Sequence, residues 1–321
     1  METTRKWRWG VNRWIVLLFI LLGIPASRAY PPILPHIQVA PEHITGPLFT
    51  LPGIGEFYLS NTLLASLLVM VILIVMAFFV NRAATSGDLV PRGLPGAIEA
   101  LVEALYNLTE STAGKWAKTI FPFFATIVFV VLLSNWLELI PGVDSIGLLE
   151  PSEHGYAVKE LLPGLATIIQ SADGKGHGGY MLVPFFRVAS TDLNFTAALA
   201  IISVVMTQVI GVRAQGARYF FKFFNVTTLF SRPGFGAMDF AISILELISE
   251  LAKLLSFSFR LFGNIFAGSV LLFLVGSMIP IFAQSMVLMF EFFIGLIQAL
   301  VFGMLTMVFM SMATKGHGEH E

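Results

Sequence analysis

"FAISILELISELAKLLSFSFRLFGNIFAGSVLLFLVGSMI", residues 240–279, decides how the rest of this chain is read. As a helix rising about 1.5 Å per residue it would run about 60 Å, roughly twice the thickness of a bilayer's hydrocarbon core. A second apolar block, 281–313, would run about 50 Å on the same count. Gly263, Gly268 and Gly276 permit breaks, but the strong breaker is Pro280, which sits between the blocks. The simpler reading is two long, steeply inclined helices joined near Pro280, well beyond the usual tilt of about 20°. Helices inclined in that way need a curved partner surface to lie against.

Composition agrees that lipid is the solvent. The 321 residues are 56% hydrophobic and 12% charged, with a mean hydropathy of +0.82, whereas soluble chains carry about a quarter charged residues. Shorter apolar runs at 61–80, 120–140 and 191–212 bring the number of blocks after the N-terminal region to five. The expected fold class is therefore an all-α polytopic membrane protein. A net charge of −1 gives no reason to expect nucleic acid, and the absence of cysteine excludes disulfides and thiolate chemistry.

The N-terminus has its own logic. Arg5, Lys6, Arg8 and Arg13 precede a short apolar run, Trp14 to Ile24, followed by Pro25 and Ser27-Arg28-Ala29. This fits a secretory signal peptide over 1–29, with an uncleaved anchor helix as the other reading. Residues 30–60 are Pro-rich and expected outside. Arg213, Arg218, Lys222 and Arg232 make 213–239 basic, while 141–190 carries Asp144, Glu150, Glu153, Glu160 and Asp173 against three cations. The positive-inside bias puts the first loop in the cytoplasm and the second outside. Alternation then places 81–119 and the 314–321 tail inside. Within 81–119, Pro95 opens a stretch in which Ile98, Leu101, Val102, Leu105 and Leu108 recur at helical spacing, an amphipathic helix expected to lie at the interface.

Polar residues in the two long blocks fall on faces. Glu246, Lys253 and Arg260 are spaced by seven, with Ser249, Glu250, Ser256, Gly263, Asn264 and Ala267 between them at three-and-four steps. Gln284, Glu291 and Gln298 are likewise spaced by seven, and Glu291 stands inside the apolar run "VLMFEFFIGL". Each ionisable group at that depth costs at least about 2.5–3.5 kcal/mol, and such residues face a bundle interior, a cavity or a partner. The plain alternative is helix glue through an Arg260–Glu291 or Lys253–Glu250 ion pair. For Glu246, Glu250 and Lys253 an interfacial, snorkelling cluster is also open.

"SELAKLLSFSFRLFGNIFAGSVLL", residues 249–272, resembles the signature helix of subunit a of the F-type ATP synthase membrane sector, in which Arg is followed by Leu-Phe-Gly-Asn. "LLSNWLELIPG" at 132–142, "STDLNFTAALA" at 190–200 and "LIQALVFGMLTMVFMSMA" at 296–313 support the resemblance, which extends from about Asn61 to Ala313. It implies a membrane helix, an interfacial helix, a helical hairpin and two long inclined helices curving around a ring of c subunits. It further implies a b-subunit peripheral stalk as partner, the lipid bilayer as setting, and no cofactor.

Carried over residue by residue, the resemblance makes Arg260 the stator arginine that meets the carboxylate of each passing c subunit. Asn264 matches a polar position one turn on, Gln298 the facing glutamine, and Glu246 an acidic position on the cytoplasmic side. Asn135, Glu138, Asp192 and Asn194 match polar positions of the hairpin near the outer mouth. Some family members have Glu where this chain has Ser269 and His where it has Glu291. On that basis Glu291 is expected to relay protons in the outer half-channel and Ser269 to hold water beside it, while Glu250 and Lys253 extend the inner polar face. The loop 141–190 is longer than in compact members of the family. Its "DGKGHGGY" reads as a flexible loop, with metal capture by His154 and His177 as the alternative. No P-loop, H-E-x-x-H or G-x-S-x-G pattern gives the chain a nucleotide site or a hydrolase. A secondary transporter anchored on an intramembrane Arg predicts internal repeats and broken helices in both halves. The sequence offers neither.

Overall fold

A computed structural model describes residues 9–29, 39–53, 55–85, 93–140, 142–152, 155–169, 179–223, 235–278 and 282–315. The basic residues Arg5, Lys6 and Arg8, the pair His154 and His177, Pro280 and most of the basic loop around Arg232 lie outside these residues. Seven α-helices are described: α1 (Trp9–Ala29), α2 (Asn61–Ala84), α3 (Leu94–Ala113), α4 (Ala117–Leu137), α5 (Leu193–Gln215), α6 (Phe235–Met278) and α7 (Phe282–Thr314). Five helical stretches are long and apolar enough to cross a membrane: α2, the α3–α4 stretch, α5, α6 and α7. The two long helices are present as read, 44 and 33 residues, and none of Gly263, Gly268 or Gly276 interrupts α6.

Each element follows from its sequence. α2 is apolar all round and among its described residues buries only Asn61, Thr62, Ala65 and Val69, leaving Leu67, Met70, Val71, Ile74 and Phe78 exposed. Such a helix is stable only where its surroundings are apolar too. α3 begins with Pro95 in its first turn, where a missing N–H costs nothing, and ends at Gly114, whose φ of +52° turns the chain through a 3₁₀ turn into α4.

The chain divides into two compact units. One comprises Thr62–Leu137, Val188–Asn264 and Gly295–Glu321. Its core gathers Leu105 of α3, Ile120, Phe124 and Val128 of α4, Ile210 of α5, and Met307 and Met310 of α7. Hydrogen bonds add direction to this apolar packing, as interhelical polar contacts do in membranes. Ser203 and Thr306 hydroxyls meet at 2.6 Å, Ser311 donates to the carbonyl of Thr112 at 3.0 Å, and Gln215 Nε2 donates to the carbonyls of Ala313 and Lys315 at the C-terminal end of α7. α6 and α7 run antiparallel here: the Phe257 ring lies 5.3 Å from that of Phe302 and 5.7 Å from that of Phe309.

The second unit comprises the described residues of Met1–Asn61 together with Glu138–Arg187 and Ile265–Ile294. Three antiparallel strand pairs, which the sequence reading did not anticipate, stand here: β1 (Phe49–Leu51) with β2 (Gly55–Phe57), β3 (Gly147–Ser152) with β6 (Gly179–Pro184), and β4 (Ala157–Leu162) with β5 (Leu165–Ile169). The segment 141–190 is thus folded around a β-lobe, and residues 141, 153, 154 and 170–178, with most of the Gly-rich run, fall outside the described residues. The strands gave little signal because β3 carries Pro151 and β4 exposes five of its six residues, so no clean alternation exists. In this unit too α6 and α7 are antiparallel, with Gly268 against Glu291 and Gly276 against Gln284.

Gly303 marks the tightest helix contact of the core. A Cβ there would lie 2.4 Å from Val128 Cγ2, a stiff β-branched atom that cannot swing aside. Gly303→Ala is therefore expected to destabilise the protein by about 1–3 kcal/mol, read as a lower thermal midpoint of the purified complex, with Val128→Ala in the same chain recovering part of the loss. An unchanged midpoint for Gly303→Ala would contradict this packing.

Candidate ion-translocation site

Arg260 sits in the middle of α6, twenty-five residues after Phe235, and its side chain is exposed. Phe257, Leu261 and Ile265, spaced by four, bury the adjoining face of the helix and so turn Arg260 and Asn264 outward. Their neighbours on the open side, Leu255 and Phe259, are also exposed. The guanidinium bonds to Ser256 Oγ at 3.2 Å, one turn back, and among the described residues no carboxylate pairs with it. Gln298 is half-buried on α7, and the arginine's hydrogen bond goes to Ser256 rather than to it.

Toward the N-terminal end of α6 the same stripe is covered. Glu250 is buried and accepts from Lys253 Nζ at 2.9 Å; the ammonium also stands 4.7 Å over the Phe309 ring. The ion-pair reading of these two residues is therefore the one the structure supports. Glu246 is half-buried one turn before. Although spacing by seven puts Glu246, Lys253 and Arg260 on one stripe, packing covers its lower part and leaves Arg260 and Asn264 open.

A second cluster forms in the unit that contains Glu138, Ser269 and Glu291. Glu291 is buried, and its Oε1 has no hydrogen-bond partner among the described residues. It stands over Gly268: a Cβ at that position would lie 2.1 Å from Glu291 Oε1, so only glycine leaves room for the carboxyl. Ser269, the next residue, donates to the Ile265 carbonyl at 3.0 Å, and the buried Glu138 carboxyl feels Ser269, Asp144, Glu291 and Arg187 electrostatically. Asp144, in the 3₁₀ turn Val143–Ser145, is pushed up from 3.8 to about 6 by burial, with the Arg187 guanidinium pulling the other way. Gly268, Asp144 and Arg187 were missed in the sequence. A signal existed for the first: Gly268 and Gly276 recur on α6 as Glu291 and Gln284 do on α7.

The hairpin residues divide by role. Asp192 caps α5, its Oδ1 accepting from Asn194 N at 2.8 Å, and its Oδ2 accepts from Thr62 Oγ1 at 2.8 Å. Asn194 contributes its backbone to that cap, while its side chain is exposed. Asn135 is buried and donates to the Gly295 carbonyl at 3.1 Å. Its Oδ1, Ser134 Oγ and Ser190 Oγ are buried without partners among the described residues. Buried orphan polar atoms are rare in natural proteins, and a run of them suits groups that exchange hydrogen bonds with a mobile donor. Among the described residues no cluster of three or more His, Asp or Glu could hold a metal ion.

The family model for the ATP synthase A chain matches residues 63–311. Proteins named ATP synthase subunit a are similar along most of the chain. That of Mycobacterium bovis is 28% identical over 290 residues, 89% of this chain and 96% of its own. That of Syntrophobacter fumaroxidans is 26% identical over 274 residues, 85% and 92%, and that of Campylobacter jejuni subsp. doylei is 28% identical over 256 residues, 78% and 89%.

Two measurements check the outer cluster. Gly268→Ala must displace the Glu291 carboxyl or part the helices, so proton transport by the complex is expected to fall severalfold, with Gly268→Ser no better. Asp144 has a native value above its free value, so its contribution to stability is present below about pH 4 and is lost as the pH rises through about 6. Infrared difference spectra should show a protonated carboxyl band that titrates away near pH 6 and is missing in Asp144→Asn.

Proposed function

The chain belongs to the ATP synthase subunit a family, and we propose that in this stator subunit of the Fo sector Arg260 separates two offset proton half-channels. As a subunit of that complex it is a multi-pass protein of the bacterial cytoplasmic membrane. The observation that carries the reading is an arginine exposed on an apolar, over-long helix with no carboxylate of its own among the described residues.

A guanidinium does not release its proton at any working pH, so Arg260 bars protons from hopping straight through. Its charge favours the ionised form of a carboxylate brought to it by a rotating c subunit, which releases that group's proton toward the inner side. Beyond Arg260 the carboxylate meets the outer path, in which Glu291, Ser269 and Glu138 return a proton and make the group neutral enough to turn through lipid. Asn264 and Gln298 keep the arginine's surroundings polar. Asn135, Asp192 and Asn194 hold the outer mouth in form, and Glu246, Glu250 and Lys253 line the inner exit. Each charge crossing 100 mV supplies roughly 2.3 kcal/mol, so rotation must collect several protons for each ATP.

Partners in this reading are the c-ring, against which α6 and α7 lie steeply inclined, and the b-subunit stalk. Their lengths, about 66 Å and about 50 Å, exceed what an upright helix needs. α3 lies at the cytoplasmic interface, residues 1–29 act as a signal peptide or anchor, the segment 30–60 and the β-lobe face outward, and the 314–321 tail faces the cytoplasm. The basic 213–239 loop supports that orientation.

Arg260→Ala in the intact complex, reconstituted in vesicles, is expected to abolish ATP-driven proton pumping and ATP synthesis. Arg260→Lys should fail as well, because lysine can lose its proton when buried and lacks the planar fork that grips a carboxylate. Coupled pumping by Arg260→Ala at the parent rate would remove the arginine from the mechanism.

A further inference from the structure

Beyond α5 the chain turns at Gly216, φ +66°, into a seven-residue 3₁₀ segment, Gly216–Lys222. The turn brings the Tyr219 ring back onto α5, against Gly211. A Cβ at 211 would lie 2.4 Å from Tyr219 Cε2, so glycine there is what admits the ring. Tyr219 is 3% exposed, and its hydroxyl donates to Gln208 Oε1 at 2.7 Å. The Gln208 Nε2, on the same amide, is buried and has no acceptor among the described residues. Glu250 and Glu246 of α6 both act on the Tyr219 hydroxyl electrostatically. A buried phenol is thus held by an amide and feels the charge of two carboxylates on the N-terminal part of α6.

A ring that merely plugs the space beside Gly211 would be served by Phe; the phenol adds a donor that Gln208 Oε1 accepts. We propose that the Tyr219 hydroxyl, held by Gln208, is a proton relay of the inner half-channel, passing protons between the Glu246–Glu250 carboxylates and water on the cytoplasmic side. A hydroxyl both donates and accepts. The original O–H turns from Gln208 Oε1 toward a water molecule that accepts from Gln208 Nε2; the arriving proton forms a new O–H bond on the phenol oxygen as that original O–H bond breaks and its proton passes to the water. Charge on the tyrosine is the same before and after. Burial, with Glu250 and Glu246 adding to it, pushes the phenol up to about 12, so it works by this exchange and not as a phenolate base.

The inference rests on the half-channel reading, and the experiment separates the two. Intact complexes carrying Tyr219→Phe, Gln208→Leu, both, or Arg260→Ala are reconstituted, and ATP-driven pumping is followed in H2O and D2O beside ATP hydrolysis. Tyr219→Phe keeps the ring on Gly211, so assembly and hydrolysis should persist while pumping falls severalfold and its solvent isotope effect rises. Gln208→Leu should do the same, and the double variant should be no slower than the slower single one, as expected of two residues in one relay. Parent-like pumping by Tyr219→Phe, or a loss without any change in isotope effect, overturns the relay while leaving the half-channels standing if Arg260→Ala is inactive. If Tyr219→Phe fails to assemble, parent-like pumping by Gln208→Leu is the overturning result. Parent-like pumping by Arg260→Ala refutes the half-channel reading itself.

Discussion

A permanent positive charge on a helix built for hydrocarbon is the constraint from which the rest follows. Arg260 cannot shed its proton, and among the described residues its one hydrogen bond is to a serine a turn away. Hydrocarbon offers no compensation, so the open side of α6 calls for a polar counterpart that the described residues do not supply. The length of α6 and α7 adds to the same constraint: an upright helix of about 20 residues would span the membrane, and these have 44 and 33 residues.

Close approach of helices makes the polar groups usable. Gly268 lets the Glu291 carboxyl press against α6, Gly303 lets α7 press against α4, and Gly211 takes the Tyr219 ring. In lipid the hydrophobic effect does not drive helices together, so small residues and interhelical hydrogen bonds such as Ser203–Thr306 carry the association. At Gly211 the same closeness sets the Tyr219 hydroxyl 2.7 Å from the Gln208 amide oxygen.

The β-lobe within 141–190 shows where local reading runs out. Its strands are short, β4 is exposed along nearly its whole length and Pro151 interrupts β3, so neither hydrophobic alternation nor propensity marks them. Pairing between β3 and β6, across some thirty residues, is a non-local event that creates the strand rather than following from it. Asp144 and Arg187 acquire their electrostatic link to Glu138 through that segment, which is why the sequence reading passed over them.

By itself the sequence determined five apolar stretches of membrane length, the two over-long helices with a break near Pro280, and the stripes on which Arg260, Asn264, Glu291 and Gln298 fall. These are properties of a 3.6-residue period and of composition, which need no knowledge of neighbours. Only the tertiary structure decided which part of each stripe is open and which is covered: Arg260 and Asn264 face outward, while Glu250 and Lys253 pair beneath Phe309. It also decided that Asp192 caps α5 and that Glu291 rests on Gly268. The reason is physical: helical periodicity fixes the angle of a side chain about its own axis, but its partner depends on the register between helices, which packing across the whole bundle sets.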